Sequence, residues 1–196
     1  MLCIVTLLVS SYVAYTLHGS ILSKVRILEL RDFGGLTFEH LKNFELWGLV
    51  TSQLVHVRPI HMLFNVISLF ILGCIIERII GAVRLLLLWF LAGVSGTFVS
   101  ILFVSAPYDV GTGASQAAMG FSACGVLLVI RRINNTLGLK AAIFFSMAPA
   151  LALDLIYAHY PKPGHITGFI FGFLFSMYIL SKNEASKAQQ VAHIKS

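Results

Sequence analysis

An all-α, polytopic membrane protein of six helices in one bundle is the fold class predicted here, and three features of the 196-residue sequence predict it. Its residues are 58% hydrophobic and 11% charged, against roughly 45–50% and 25% in soluble domains. The apolar residues gather in runs close to the ~20 needed to cross a bilayer. The breaks between runs are short and polar, except for one long segment early in the chain. No separate soluble domain fits in what remains.

The first run, about Leu2 to Leu17, has no basic leader and no small-x-small cleavage site, so it is expected to stay as a helix. Residues 18–58 hold Lys24, Arg26, Arg31, Lys42 and Arg58 beside many aromatic and aliphatic side chains, Phe33, Phe38, Phe44 and Trp47 among them. Such a segment is too apolar for a free linker and reads as a structured first loop lying partly in the membrane interface. A second span runs about Pro59 to Ile80, and Pro59 suits a helix start because the N–H it lacks has no intrahelical partner there. Further spans are expected at about Leu85–Val104, from Ser115 to the Arg131-Arg132 pair, at Ala141–Ala158, and at His165–Leu180 after the breaker Pro161-Lys162-Pro163-Gly164. The membrane domain is thus 1–182, and 183–196 is a polar cytoplasmic tail.

Cys3, Cys74 and Cys124 lie in apolar stretches without a Cys-x-x-Cys pair, and all three read as small core residues. The net charge of +6 is spread over the gaps between spans and forms no stripe, so nucleic acid is not an expected partner. Those charges orient the chain instead. With a cytoplasmic N-terminus, Arg78, Arg84, Arg131, Arg132, Lys140, Lys182, Lys187 and Lys195 fall on the cytoplasmic side, eight of the fourteen basic residues. The short connections agree with that choice, which places both termini in the cytoplasm.

That topology collects polar residues at one end of the bundle. Ser115 opens span four, His165 opens span six, and His61 and Asn65 stand near the start of span two. Gly113 and Gly120 flank the serine, and Gly113 just before it permits a sharp loop-to-helix turn. Along span six, Gly164, Gly168, Gly172 and Ser176 recur every fourth residue, a ridge thin enough for backbone-to-backbone packing. Span four, with Ala117, Gly120, Ala123, Cys124 and Gly125, is the expected partner, and that contact would bring His165 to the Ser115 hydroxyl.

A serine is a weak nucleophile until a neighbouring imidazole takes its proton. His61 and Asn65, four residues apart on one helix face, can donate to a developing oxyanion alongside the Ser115 amide. The bland reading of each residue stands beside the chemical one. His165 could cap a helix, His61 and Asn65 could bond the long loop, and His56 is read as bonding that loop.

The ordered set His56-Val57-Arg58-Pro59-Ile60-His61-Met62-Leu63-Phe64-Asn65, Glu77-Arg78-Ile79-Ile80-Gly81, Gly113-Ala114-Ser115 and His165-Ile166-Thr167-Gly168 resembles the rhomboid family of intramembrane serine proteases in its small bacterial form. The resemblance covers roughly residues 47 to 180. It implies Ser115 as nucleophile, His165 as general base, and His61, Asn65 and the Ser115 amide as oxyanion hole, with Gly113, Met119, Gly168 and Gly172 in support. It also implies a site in a bacterial inner membrane, open outward to water, needing neither metal nor organic cofactor, and acting on single-span or polytopic membrane proteins within the lipid bilayer. Three positions depart from the family pattern. Gln116 follows the nucleophile where glycine is usual, Met119 stands where many relatives have tyrosine, and Trp47-Gly48 replaces a Trp-Arg pair. Asp154 near the outer end of span five is assigned a structural or loop-binding role, since the family works with a dyad; orienting His165 is the alternative.

Two other classes compete. One is a catalytically inactive relative that binds transmembrane helices, with Gln116 and Met119 in its favour. The other is a transporter or metal site built from His56, His61, His159 and His165, although no His-Glu-x-x-His element is present. The oligomeric state is not legible in the sequence.

Overall fold

The computed structural model describes residues 1–106, 108–156 and 162–195, with side chains described as far as Lys182. His159, Ala158 and Pro161 lie outside the described residues. Helix α1 (Leu2–His18) leads into a loop holding a 3-10 turn (Ile27–Arg31), α2 (Phe38–Lys42), α3 (Gly48–Thr51) and a second 3-10 turn (Ser52–Leu54). The bundle follows as α4 (Pro59–Ile80), α5 (Ala82–Phe103), α6 (Ser115–Ile130), α7 (Leu137–Ile156) and α8 (Lys162–Lys195).

Among the described residues, four helices are long and apolar enough to cross a membrane: α4, α5, α7, and α8 over Lys162–Lys182. The expected spans one and four are apolar but shorter, 17 residues in α1 and 16 in α6. At 1.5 Å per residue α6 is about 24 Å long, less than the hydrocarbon layer. Its burial explains how a short helix suffices, because 13 of its 16 residues are covered by protein. The backbone of α8 stays helical through Lys195. Pro59 sits in the first turn of α4. A single residue, Gly81 at φ +85°, turns the chain from α4 into α5; only glycine takes that conformation without strain.

The main core lies among α4, α5, α6 and α8, built on Leu72, Ile76, Leu88, Phe121, Cys124 and Leu128. A smaller cluster of Val13, Ala14, Val25, Leu30 and Val55 ties α1 to the first loop. Cys124 belongs to the core, but Cys74 is exposed and Cys3 half-buried. The core reading of Cys74 is therefore corrected: it shares the outward side of α4 with exposed Phe70 and Ile71, where a membrane protein meets lipid tails rather than protein.

Glycines set how closely the helices approach. A Cβ on Gly172 would run into the Gly120 backbone, and one on Gly168 would meet the Gln116 carbonyl, so α6 and α8 touch main chain to main chain. Gly93 of α5 likewise leaves room for the buried side chain of Gln53, which docks the first loop against the bundle. The loop is also tied to the segment before α6 by an antiparallel bridge, with Leu36 and Gly111 exchanging hydrogen bonds of 3.0 and 2.7 Å.

Candidate active site

Chain direction brings one set of helix ends together. Helices α4, α6 and α8 start at the end of the bundle where α7 finishes, so His61, Ser115, His165 and Asp154 all fall within a turn of that end. Locally, Gly113 makes the turn into α6 at φ +86°, and its N–H is shared by the carbonyls of Ser52 and Val55, both at 2.8 Å. Those two bonds fix the elbow to the first loop. Ser115 is then the first residue of α6, where the leading backbone N–H groups have no helical acceptor and can receive an anion.

The tight α6–α8 contact does the rest. The Ser115 hydroxyl lies 2.9 Å from His165 Nε2, and both groups are buried, at 4% and 1% exposure. On its other side His165 Nδ1 is 2.8 Å from Asp154 Oδ2. A carboxylate only accepts, so Nδ1 carries the ring proton and the bare Nε2 faces the serine. Asp154, for which a structural or loop-binding role is expected, thus has its carboxylate on the imidazole.

On the opposite flank, the His56 ring stands against His61 at 5.7 Å between centroids, edge to face. His56 Nε2 accepts from the Asn65 side-chain amide at 3.1 Å and from the Ala114 N–H at 3.4 Å, while Nδ1 is 3.5 Å from the Ser10 hydroxyl of α1. His56 thus joins α1, α4 and the elbow, a more central place than the loop anchor expected. Burial pushes its pKa down to about 3, with the charge of His61 adding to the shift, so the ring is neutral. Both histidines border Gly113, where a Cβ would lie 3.6 to 3.7 Å from the two rings. Asn65 spends one amide N–H on His56 and has a second to offer elsewhere.

The outward-open cavity expected at this end stands against the burial of the pair among the described residues. With Ser115 and His165 almost wholly covered, the pair is closed to water in this conformation.

A family model described as Rhomboid domain matches residues 43–182. The chain belongs to the rhomboid family. Its region of similarity to YdcA of Bacillus subtilis is 32% identical over 145 residues, 72% of this chain and 71% of that protein. Rhomboid protease GluP, from the same organism, is 31% identical over 144 residues, which is 72% of this chain but 27% of GluP. Inactive RHOMBOID-like protein 8 of Arabidopsis thaliana is 32% identical over 87 residues, 44% of this chain and 25% of that protein. Family membership together with the apolar helices makes this an integral membrane protein.

Within this rhomboid, two departures from the family pattern are accommodated by packing. Gln116 is buried, and its aliphatic stem runs against Gly96 of α5 and Gly164 of α8, whose missing side chains supply the space. The bulk expected at the elbow is therefore taken up between α5 and α8, and Gln116 Oε1 comes within 3.4 Å of the Ser115 hydroxyl. Gly48 packs on Leu36, and even a Cβ there would stand 2.9 Å from the leucine Cδ1, so an arginine would have to displace that contact. Met119, one turn after Ser115, is buried in α6.

Proposed function

We propose that this rhomboid is an active serine endopeptidase that hydrolyses peptide bonds in or near transmembrane segments of other membrane proteins. The 2.9 Å contact between Ser115 and His165 carries the reading. In the reaction His165 Nε2 takes the Ser115 proton as the oxygen attacks a peptide carbonyl, and the resulting oxyanion is held by the Ser115 amide, His61 and Asn65. Collapse breaks the C–N bond, with the proton passing from Nε2 to the leaving amine. Water then attacks the acyl-serine, gives a proton to Nε2, and the acid departs as Ser115 recovers its hydrogen. Gly113 shapes the elbow, and Gly168 and Gly172 keep the two helices in register. No metal or organic group takes part.

A helical peptide carbonyl is hydrogen-bonded and shielded, so the substrate segment must unwind at the cut; small side chains there and Gly or Pro nearby favour this. Because the pair is buried, substrate and water reach it only after a covering element moves. We place α1 and α6 among six spans, with a membrane domain at 1–182, its first loop at 18–58 in the interface, and a polar tail at 183–196. Both termini face the cytoplasm of a bacterial inner membrane on the evidence of the basic residues. Single-span and polytopic membrane proteins are the substrate class.

Purified protein in lipid should cleave members of a panel of single-span substrates, and Ser115→Ala and His165→Ala should each abolish cleavage. A catalytically inactive helix-binding relative is the second reading, favoured by Gln116 beside the nucleophile and by the inactive Arabidopsis relative of similar identity. Fluorophosphonate labelling decides between them: Ser115 reacts in a protease, and absence of labelling across conditions that keep the protein folded would sink the proposal.

A further inference from the structure

We infer that Asp154 is a positioning residue for the Ser115–His165 dyad, holding the imidazole in the tautomer that the reaction needs; this rests on the protease reading above. Asp154 and His165 are both buried, at 8% and 1% exposure, and their side chains meet at 2.8 Å from two different helices. The bond falls on Nδ1, the nitrogen that must hold a proton if Nε2 is to receive one from Ser115. When the serine proton arrives, the ring becomes an imidazolium facing a carboxylate, which favours that charge without itself taking the proton.

The cost of the arrangement also argues for a use. A carboxylate within a membrane helix is costly to insert; Asp154 lies two residues from the end of α7, where the cost is smaller, but its Oδ1 is buried without a hydrogen-bond partner among the described residues. A purely structural aspartate would be expected to satisfy both oxygens, by capping a helix or holding a loop. Here the only hydrogen bond of the carboxylate among the described residues goes to the catalytic base.

Asp154→Asn keeps the shape and removes the charge. Its kcat should fall by about 10²- to 10⁴-fold with KM changed less than about 2-fold, because an amide can turn its NH2 to Nδ1 and hold the wrong tautomer. Nitrogen-15 NMR of histidine-labelled protein gives a readout independent of turnover. The wild type should show His165 protonated at Nδ1 and bare at Nε2, and Asp154→Asn should lose that single state. If wild-type protein cleaves substrate and Asp154→Asn keeps kcat within about 2-fold, or if the wild-type ring is protonated at Nε2, the inference is wrong. Should wild-type protein neither cleave nor label at Ser115, the protease reading fails by itself, and the tautomer measurement still decides whether Asp154 sets the ring. Should Asp154→Asn not fold, the wild-type spectrum alone decides.

Discussion

Helices α6 and α7 both supply the site, yet they are held in opposite ways. Thirteen of the sixteen residues of α6 are buried, and its contact with α8 is made through glycine backbones. Only Leu139, Ala142, Ser146 and Asp154 are buried among the twenty residues of α7, which also carries Pro149 within its length. The Ser115–His165 contact therefore lies where the helices are closely packed, and Asp154 lies on a helix with few buried residues. Without a hydrophobic drive between helices in lipid, close packing and polar bonds decide which helix stays put. By that measure α7 is the helix around the pair that moves at least cost.

The largest effect should come from removing the close approach. Gly172→Ala forces a Cβ into the Gly120 backbone, so α6 and α8 must separate and carry Ser115 away from His165. Overpacking of this kind costs about 1–3 kcal/mol or more, and with the serine moved off the imidazole, proteolysis together with Ser115 labelling should drop by more than about 100-fold. The same change in α7, Gly138→Ala, meets nothing within 4 Å of the added carbon. It should leave cleavage unaltered and raise thermal stability by up to about 1 kcal/mol. Equal behaviour of the two variants in a thermal and activity assay would erase the contrast.

A middle-sized effect belongs to His56, which holds the elbow side of the closely packed region. His56→Ala strands the Asn65 amide and the Ala114 N–H, and the expected loss of kcat/KM is about 10- to 100-fold, as a misplaced oxyanion donor would give. The same residue imposes a pH dependence. Its folded pKa of about 3 lies below the ordinary 6.5, so between those values the unfolded chain binds a proton that the folded one does not. Stability from this group is constant above pH 6.5 and is lost as pH falls towards 3, by at most about 1.4 kcal/mol per pH unit. Thermal melts of wild type and His56→Ala from pH 7 to 4 should converge as the pH drops; parallel curves would mean the histidine is not held neutral.

How much of this was readable beforehand follows the same division. The bundle helices α4 to α6 were legible from run length and from Pro59, and the approach of Ser115 to His165 from the four-residue glycine spacing of α8. Asp154 and His56 were not, because each gains its meaning from a partner on another element, Asp154 from His165 and His56 from Asn65 and Ala114. One signal did exist: a carboxylate in an apolar run eleven residues before the base. Likewise Gln116 looked like bulk in the sequence because Gly96, which makes space for it, is twenty positions away on α5. Chain-local pattern reports helices and their small faces; it does not report which polar groups the packing will pair.

The smallest effect tests how lightly α7 is held. Ser146 of α7 meets Ser122 of α6 at 3.0 Å, and Ser122 also bonds the Ala118 carbonyl at 2.9 Å. Ser122 has one proton to share between the Ala118 carbonyl of its own helix and the Ser146 oxygen, so without Ser146 it still has the carbonyl. Ser146→Ala thus removes a single interhelical bond and leaves Ser122 satisfied, whereas Ser122→Ala would strand the buried Ser146 hydroxyl. Interhelical polar bonds in membranes are worth about 0.6 kcal/mol on average, so the Ser146→Ala melt should fall by about that amount, with cleavage within about 2-fold of wild type. A destabilisation matching that of Gly172→Ala would show α7 to be anchored as firmly as α8, and the helix that moves to admit substrate would have to be sought elsewhere.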